Sequence, residues 1–467
     1  MNIFSIFAAM KVYPNIYKVK TLLRMSAYAL SLAVLVACSS ADGLQKANTS
    51  YWYKPSQLTI RPHFIISHIN DSLSTVRYRI NTKDLLYIRD SGNDNYQASA
   101  TLEYEVLPSI DRLVAIDSGK VSVRDNHNQP RQINLAGEFT IKTPSTVKEK
   151  NYLLRVRITD EYRSASFEHF HSFKRGQLNN LENFYLTDHD GRKIYKNHLP
   201  VGVPFNLRHR GGNNQEVFVS FYNRDFPLAL PPYADPKNST FELDPDSLYR
   251  VPLNKSLALG EKGFYHFRLD TSQWQGYTVY SFYREFPEVA TFENLAGPLR
   301  YLTTQKEWDE LQSLAGKPEK IKTWVDEFWL QRAGSKARAR KLIAAYYNRV
   351  EVANRNFTSY LEGWKSDRGI IYVIYGPPDK VFTTVNGEDW IYGSESSSLP
   401  YIFKFNKVNN PFTDKDYEMQ RSQSYRYGWG QAISSWRSGH VYNSQDIKRE
   451  QNEQDQYQYN TRYPVWY

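Results

Sequence analysis

The chain has 467 residues and a formal net charge of +10, from 59 Lys and Arg against 49 Asp and Glu. Aromatics make up 15% of it, Tyr alone numbering 36, so it can bury a sizeable core and is not a disordered polypeptide. A single cysteine excludes an intrachain disulfide framework and any Cys-based zinc or iron–sulfur site; dispersed basic residues, without a concentrated stripe, exclude nucleic acid as a partner.

Lys11, Lys18, Lys20 and Arg24 precede an apolar run from Ala27 to Ala37, and no acidic residue interrupts them. The run is shorter than the roughly 20 residues a membrane-spanning helix needs. A basic stretch followed by a short apolar one reads as a secretory leader, and Met10 as initiator would give it an ordinary length. The run ends at Leu35-Val36-Ala37-Cys38. This site resembles a bacterial lipobox. The resemblance implies cleavage before Cys38, acylation of that cysteine (palmitate included), and an outer-membrane lipoprotein of the cell envelope, with the membrane face left open. The alternative is an ordinary signal peptide that happens to contain a cysteine. The expected order is leader 1–37, tether 38–57, β-sandwich 58–175, second sandwich-like unit 176–302, helical segment with a small domain 303–413, and a polar, aromatic extension 414–467.

The expected fold class is mixed β and α+β: tandem antiparallel β-sandwiches, then helices, then a helix with an antiparallel meander. Ser74 to Ile80, Thr101 to Val106, Leu154 to Ile158 and Phe167 to Phe173 alternate apolar and polar residues, as half-buried strands do. Turn residues such as Ser91 to Asn95 separate them, which suggests a sandwich. In the second unit Asp190-Gly191 reads as a hairpin turn, and Val217 to Phe221, Phe264 to Leu269 and Tyr277 to Phe282 supply strands. The loop Phe226 to Tyr233 holds three prolines and is expected to pack across its own domain.

From Leu302 the periodicity changes. Thr304 and Glu307 fit a capping box ahead of Trp308, Leu311 and Leu314. A second helix carries Ile321, Trp324, Val325, Phe328 and Trp329. Ser335 caps a third, whose apolar stripe is expected to continue through Leu342, Tyr346, Val350, Phe357, Tyr360 and Trp364. Ile370 to Tyr375 is expected as a buried strand. Lys380 to Val385 and Glu388 to Tyr392 should form a hairpin about Asn386-Gly387, with Tyr401 to Phe405 as a further strand. Tyr425 to Tyr442 is expected to pair onto this sheet, and Asn443 to Tyr467 to be ordered only where its aromatics dock.

At the junction lie Gly363-Trp364-Lys365-Ser366-Asp367-Arg368-Gly369 and then Gly376-Pro377-Pro378-Asp379. With Phe328-Trp329, Arg349, Ala353-Asn354, Trp390 and Tyr392, the run resembles the GWxTD-domain family of Bacteroidota and other bacterial envelopes, over about residues 300–410. Ser366 stands where the family name has Thr, and Ala333 where an Asp is frequent. The resemblance implies a domain and a compartment, but no activity. On physical grounds Gly363 is expected to end a helix with a left-handed backbone. Trp364 should close the core, Ser366 and Asp367 accept backbone N–H groups, and Arg368 pair with Asp379. These residues are expected as fold elements first. The competing reading is that Asp367, Arg368 and Asp379 converge on a ligand or partner.

No Walker A, H-E-x-x-H or G-x-S-x-G pattern occurs. His169 and His171 share a strand face but lack a third ligand, and Asp188-His189-Asp190-Gly191 reads as a turn rather than a calcium loop. No cofactor and no metal are expected, and a catalytic role is not indicated. The expected function is a membrane-anchored interaction or assembly module with an envelope protein as partner. The alternatives are a glycan-binding surface lipoprotein and a hydrolase using acids near Asp367.

Overall fold

The computed structural model describes residues 48–462, apart from 55–58, 90–91, 93–94, 110–113, 130–131, 147, 213–214, 225, 236–243, 385 and 398–400. Cys38 and the leader lie outside the described residues.

The alternating segments of the first unit pair as two sheets. One is β1 (His63–His68), β2 (Leu73–Asn81) and β6 (Asn134–Lys142), with β2 central. The other is built on β4 (Tyr96–Leu107), which pairs with β5 (Asp117–His127) and β7 (Lys150–Asp160). β8 (Ala165–Arg175) continues it beyond β7, and β3 (Ile88–Arg89) adds two residues beside β4. Because side chains alternate along a strand, Val76, Tyr78 and Ile80 from one sheet meet Leu102, Leu154, Val156 and Ile158 from the other in one buried cluster. That is a β-sandwich.

The second unit sets β9 (Phe184–Thr187) and β10 (Asn206–His209) against a four-stranded sheet. Its strands are β11 (Glu216–Tyr222), β12 (Ser247–Pro252), β13 (Gly263–Arg268) and β14 (Tyr277–Ser281), in the order β12-β11-β13-β14. Asp190-Gly191 is a turn, as expected. The Asp188 carboxylate accepts the backbone N–H groups of Asp190 and Arg192, and Gly191 has φ +79°.

The third unit begins with α1 (Phe292–Ala296), α2 (Gln305–Gln312), α3 (Pro318–Ala333) and α4 (Lys336–Phe357). Thr304 and Glu307 form the capping box, and Ser335 caps α4. α4 ends at Phe357, with Thr358 extended, so Tyr360 and Trp364 leave the helical stripe; Tyr360 stacks edge-on against Phe226 instead. Ile370 to Tyr375 is not a strand but part of α5 (Asp367–Tyr375), every residue of which is buried. Six apolar residues in a row carry no period, and a helix enclosed on all sides needs none. α5 packs against α4 and beneath the sheet β15 (Lys380–Thr383), β16 (Gly387–Tyr392), β17 (Tyr401–Lys407) and β18 (Tyr417–Met419).

Residues 425–437 form helix α6 (Tyr425–Arg437) rather than a strand, since Trp429, Ala432 and Trp436 fall on one helical face and are buried. α7 (Ser444–Arg462) follows. The tether expectation also fails at its second half. Thr49, Ser50 and Tyr53 are buried, and the Thr49 N–H reaches Val381 O at the free edge of β15. The loop at 226–233 packs on its own unit only at Phe226, which stacks on Phe264; Leu228, Ala229 and Tyr233 lie on the core of the third unit, and Ala229 N–H donates to Lys365 O. Among the described residues no helix is long and apolar enough to cross a membrane.

Candidate functional site

The turn into α5 is fixed by close approach. Gly363 does not end a helix in left-handed conformation. It sits in a 3₁₀ turn (Gly363–Lys365) where an added Cβ would lie 1.9 Å from Ala353 O. Gly369, one turn on, would meet Gly363 O at the same distance. Two glycines thus let α4, the turn and α5 touch backbone to backbone. Ser366 caps α5: its Oγ accepts Gly369 N–H at 3.1 Å and donates to Gly363 O at 2.7 Å. Trp364 is buried, its backbone N–H donating to Asn354 Oδ1.

The charged residues of the motif diverge. Asp367 points to the far end of the sheet, where Oδ2 accepts Met419 N–H at 2.7 Å and Oδ1 accepts from Arg421. Burial raises its pKa more than the Arg421 guanidinium and the Met419 N–H lower it. Arg368 pairs with Glu388, not Asp379. Its Nη1 is 3.3 Å from Glu388 Oε1, Nη2 donates to Lys415 O at 3.0 Å, and the guanidinium lies 3.7 Å from the centre of the Tyr417 ring. Burial, the largest single influence, lowers the Arg368 pKa, but the charge and hydrogen bond of Glu388 together with Tyr53 and Tyr417 outweigh it, and the net shift is upward. Glu388 also accepts from Trp390 Nε1 at 2.8 Å and from the Tyr53 hydroxyl at 3.0 Å.

At the other end of α5, Arg349 is the clamp. Its Nη1 donates to Val373 O and Ile374 O and its Nη2 to Tyr442 O, at 3.2, 3.0 and 2.7 Å. Val373 O and Ile374 O are carbonyls that the end of α5 leaves unpaired, and Tyr442 O lies in the loop before α7. Burial lowers its pKa to about 10. Gly376 takes φ +81° against this guanidinium, and its carbonyl accepts the Tyr392 hydroxyl at 2.7 Å. After Pro377 and Pro378, Asp379 receives Gly393 N–H at 2.8 Å and Lys448 Nζ at 3.1 Å.

Asp367, Arg368 and Asp379 therefore have separate partners and do not converge. The sequence reading missed Glu388, Arg421 and Tyr53, and named Arg349 only as part of the resemblance, without its role. Only Glu388 left a signal: it stands two residues before Trp390 on a strand, hence on the same inward face. His169 is half-buried against Trp52 (rings 6.2 Å apart, 12° between planes) and bonded to Ile60 O. Among the described residues no group of three or more His, Cys, Asp or Glu is placed to hold a metal.

Residues 263–438 match the family model of the GWxTD domain. The match starts well before the expected residue 300, taking in β13 and β14. Their packing explains this: the Tyr280 hydroxyl donates to Phe412 O, and Tyr222, Phe264, Tyr280 and Phe412 form one buried cluster. No curated protein matches the chain. Among solved structures, the crystal structure of CBD12 from CALX1.2 is similar over 57% of this chain and 94% of that one, at 11% identity and a TM-score of 0.14, which supports no argument. From the matched residues and the interlocked geometry around Gly363 to Asp379, the chain is a GWxTD domain-containing protein.

Proposed function

We propose that the protein is a Bacteroidota-type envelope lipoprotein, held to the membrane by acyl chains on Cys38, that acts as an interaction or assembly module without catalysis of its own. The observation that carries this reading is the segment after the anchor. Tyr51 and Trp52 both donate to Glu168 O on β8 of the first sandwich, at 2.9 and 2.8 Å. Tyr53, the next residue, enters the GWxTD core between Phe357 and Trp390. A chain tethered just upstream thus holds its first and last units in fixed relation, as a scaffold presenting surfaces to a partner would require. The motif's charged side chains are committed to internal partners, so the domain supplies rigidity rather than a reactive group. Asp367, the acid of the hydrolase alternative, has both oxygens engaged.

Co-purification from detergent-solubilised envelopes tests the proposal. The wild-type chain is expected to bring down a defined envelope protein that Cys38→Ser does not retain. A chain recovered alone under both conditions would overturn it.

A further inference from the structure

Basic residues are spread along the chain, with one local exception in the third unit. Between Glu327 and Glu351 the sequence holds no acidic residue and six cations. Two of the six are committed: Arg332 pairs with Glu307, and Arg349 holds the carbonyls at the end of α5. The other four, Lys336, Arg338, Arg340 and Lys341, fall in the opening turns of α4 and are all exposed. None of their side chains has an ion pair or hydrogen bond among the described residues. The N–H groups at a helix start already carry partial positive charge, so acidic residues are stabilising there and cations are not. Nothing inside the fold offsets that cost.

The placement of the four is regular. Ala339, Leu342 and Tyr346 are buried and set the inward face of α4. With 3.6 residues to a turn, Ala337 and Ala344 then fall on the outward midline, and both are exposed. Lys336 and Arg340 flank that line on one side, Arg338 and Lys341 on the other. Long basic side chains reach outward past the small alanines, so the helix can lie along a flat, negative surface. The charges spread around the outward half of the helix rather than converge on a point, which suits an extended array of anions over a single small one. Such a surface is within reach of the anchor. Tyr53 lies against Phe357 at the far end of α4, about 32 Å from Lys336. Residues 38–53 can span up to about 50 Å.

We propose that the first two turns of α4 dock on an anionic lipid surface, with Lys336, Arg338, Arg340 and Lys341 among the headgroups. The choice of lipid over another polyanion rests on the acyl anchor proposed above. Hydrogen exchange of the full chain tests it, measured with vesicles of phosphatidylcholine alone and of phosphatidylcholine mixed with phosphatidylglycerol. On the mixed vesicles, exchange across residues 336–344 is expected to slow at least about fivefold, the effect of a single basic residue at an anionic membrane. The slowing should vanish in about 1 M salt, where charges are screened beyond about 3 Å. It should vanish too in the quadruple variant Lys336→Gln, Arg338→Gln, Arg340→Gln, Lys341→Gln. That variant should unfold at the same or a higher temperature than the wild type, since it removes cations from the helix start. Loss of the anchor would show as protein free of the phosphatidylcholine vesicles, loss of this surface as equal exchange on the two kinds. Equal exchange, slowing that survives the substitutions, a quadruple variant that unfolds earlier, or slowing by soluble polyglutamate as strong as by the mixed vesicles would overturn the assignment.

Discussion

Arg368 and Glu388 form an ion pair inside the GWxTD core, with Nη1 3.3 Å from Oε1 and both side chains 5% exposed. Removing one partner leaves the other charged and buried, which typically costs about 3–5 kcal/mol. Glu388→Ala and Arg368→Ala are each expected to lose that much in urea unfolding, and the double variant distinctly less than the sum. An additive double variant would mean that the two side chains act independently.

The two close-approach glycines contrast with a third. A methyl at Gly363 or Gly369 meets a carbonyl at 1.9 Å, so Gly363→Ala and Gly369→Ala should each destabilise by at least about 1–3 kcal/mol. Gly430, exposed on α6, has nothing within 4 Å of an added Cβ. Gly430→Ala should therefore stabilise by about 0.4–1 kcal/mol. Thermal midpoints of the three variants give the comparison directly.

Stability should fall in acid. Burial depresses His68, His169 and His198 to about 4, and His171 and His266 to about 3, from an ordinary 6.5. Below pH 6.5 the unfolded chain takes up protons that these folded imidazoles refuse. The stabilisation is complete above 6.5 and is lost as pH drops through about 4 to 3. Glu182 has the opposite sign. Burial raises it to about 7 from 4.5, so its contribution is complete below pH 4.5 and is lost as pH rises through 7. Glu182→Gln should thus be more stabilising at pH 8 than at pH 5. Unfolding curves at the two pH values decide it.

Tyr53 joins the segment Ser50–Tyr53 to the buried pair. Tyr53→Phe removes a hydroxyl from Glu388 and, as a hydrogen bond to a charged group, should cost about 1.5–3 kcal/mol. Trp52→Ala removes the stacking on His169 and the bond to Glu168 O. Its expected result in scanning calorimetry is an earlier, separate transition for the first sandwich. One unshifted transition would show that the segment does not hold the units together.

Much of this architecture was legible wherever a local rule decides structure. The capping box at Thr304, the cap at Ser335, the hairpin at Asn386-Gly387 and the alternation of β2, β4 and β7 are each settled within a few residues. α5 was not, because Ile370 to Tyr375 is apolar throughout; the available clue was Ser366, whose side chain caps the helix. α6 did carry helical spacing in Trp429, Ala432, Ile433 and Trp436, overshadowed by the polar residues between them. The partners of the motif were out of reach. Arg368 meets Glu388 and Asp367 meets Arg421 only because β16 and the end of β18 are folded against α5, and distance along the chain carries no trace of that. Tyr51 to Tyr53 looked like a spacer because anchorage there depends on two surfaces more than a hundred residues downstream.

The proposed role depends on where the chain is held. Mass spectrometry of the N-terminal peptide from membrane-derived protein measures this at the residue concerned. A mature chain beginning at Cys38, heavier by a thioether-linked diacylglycerol and an N-acyl group, is the predicted result. An unmodified Cys38 within an uncleaved chain, recovered from the cytosol, would contradict it.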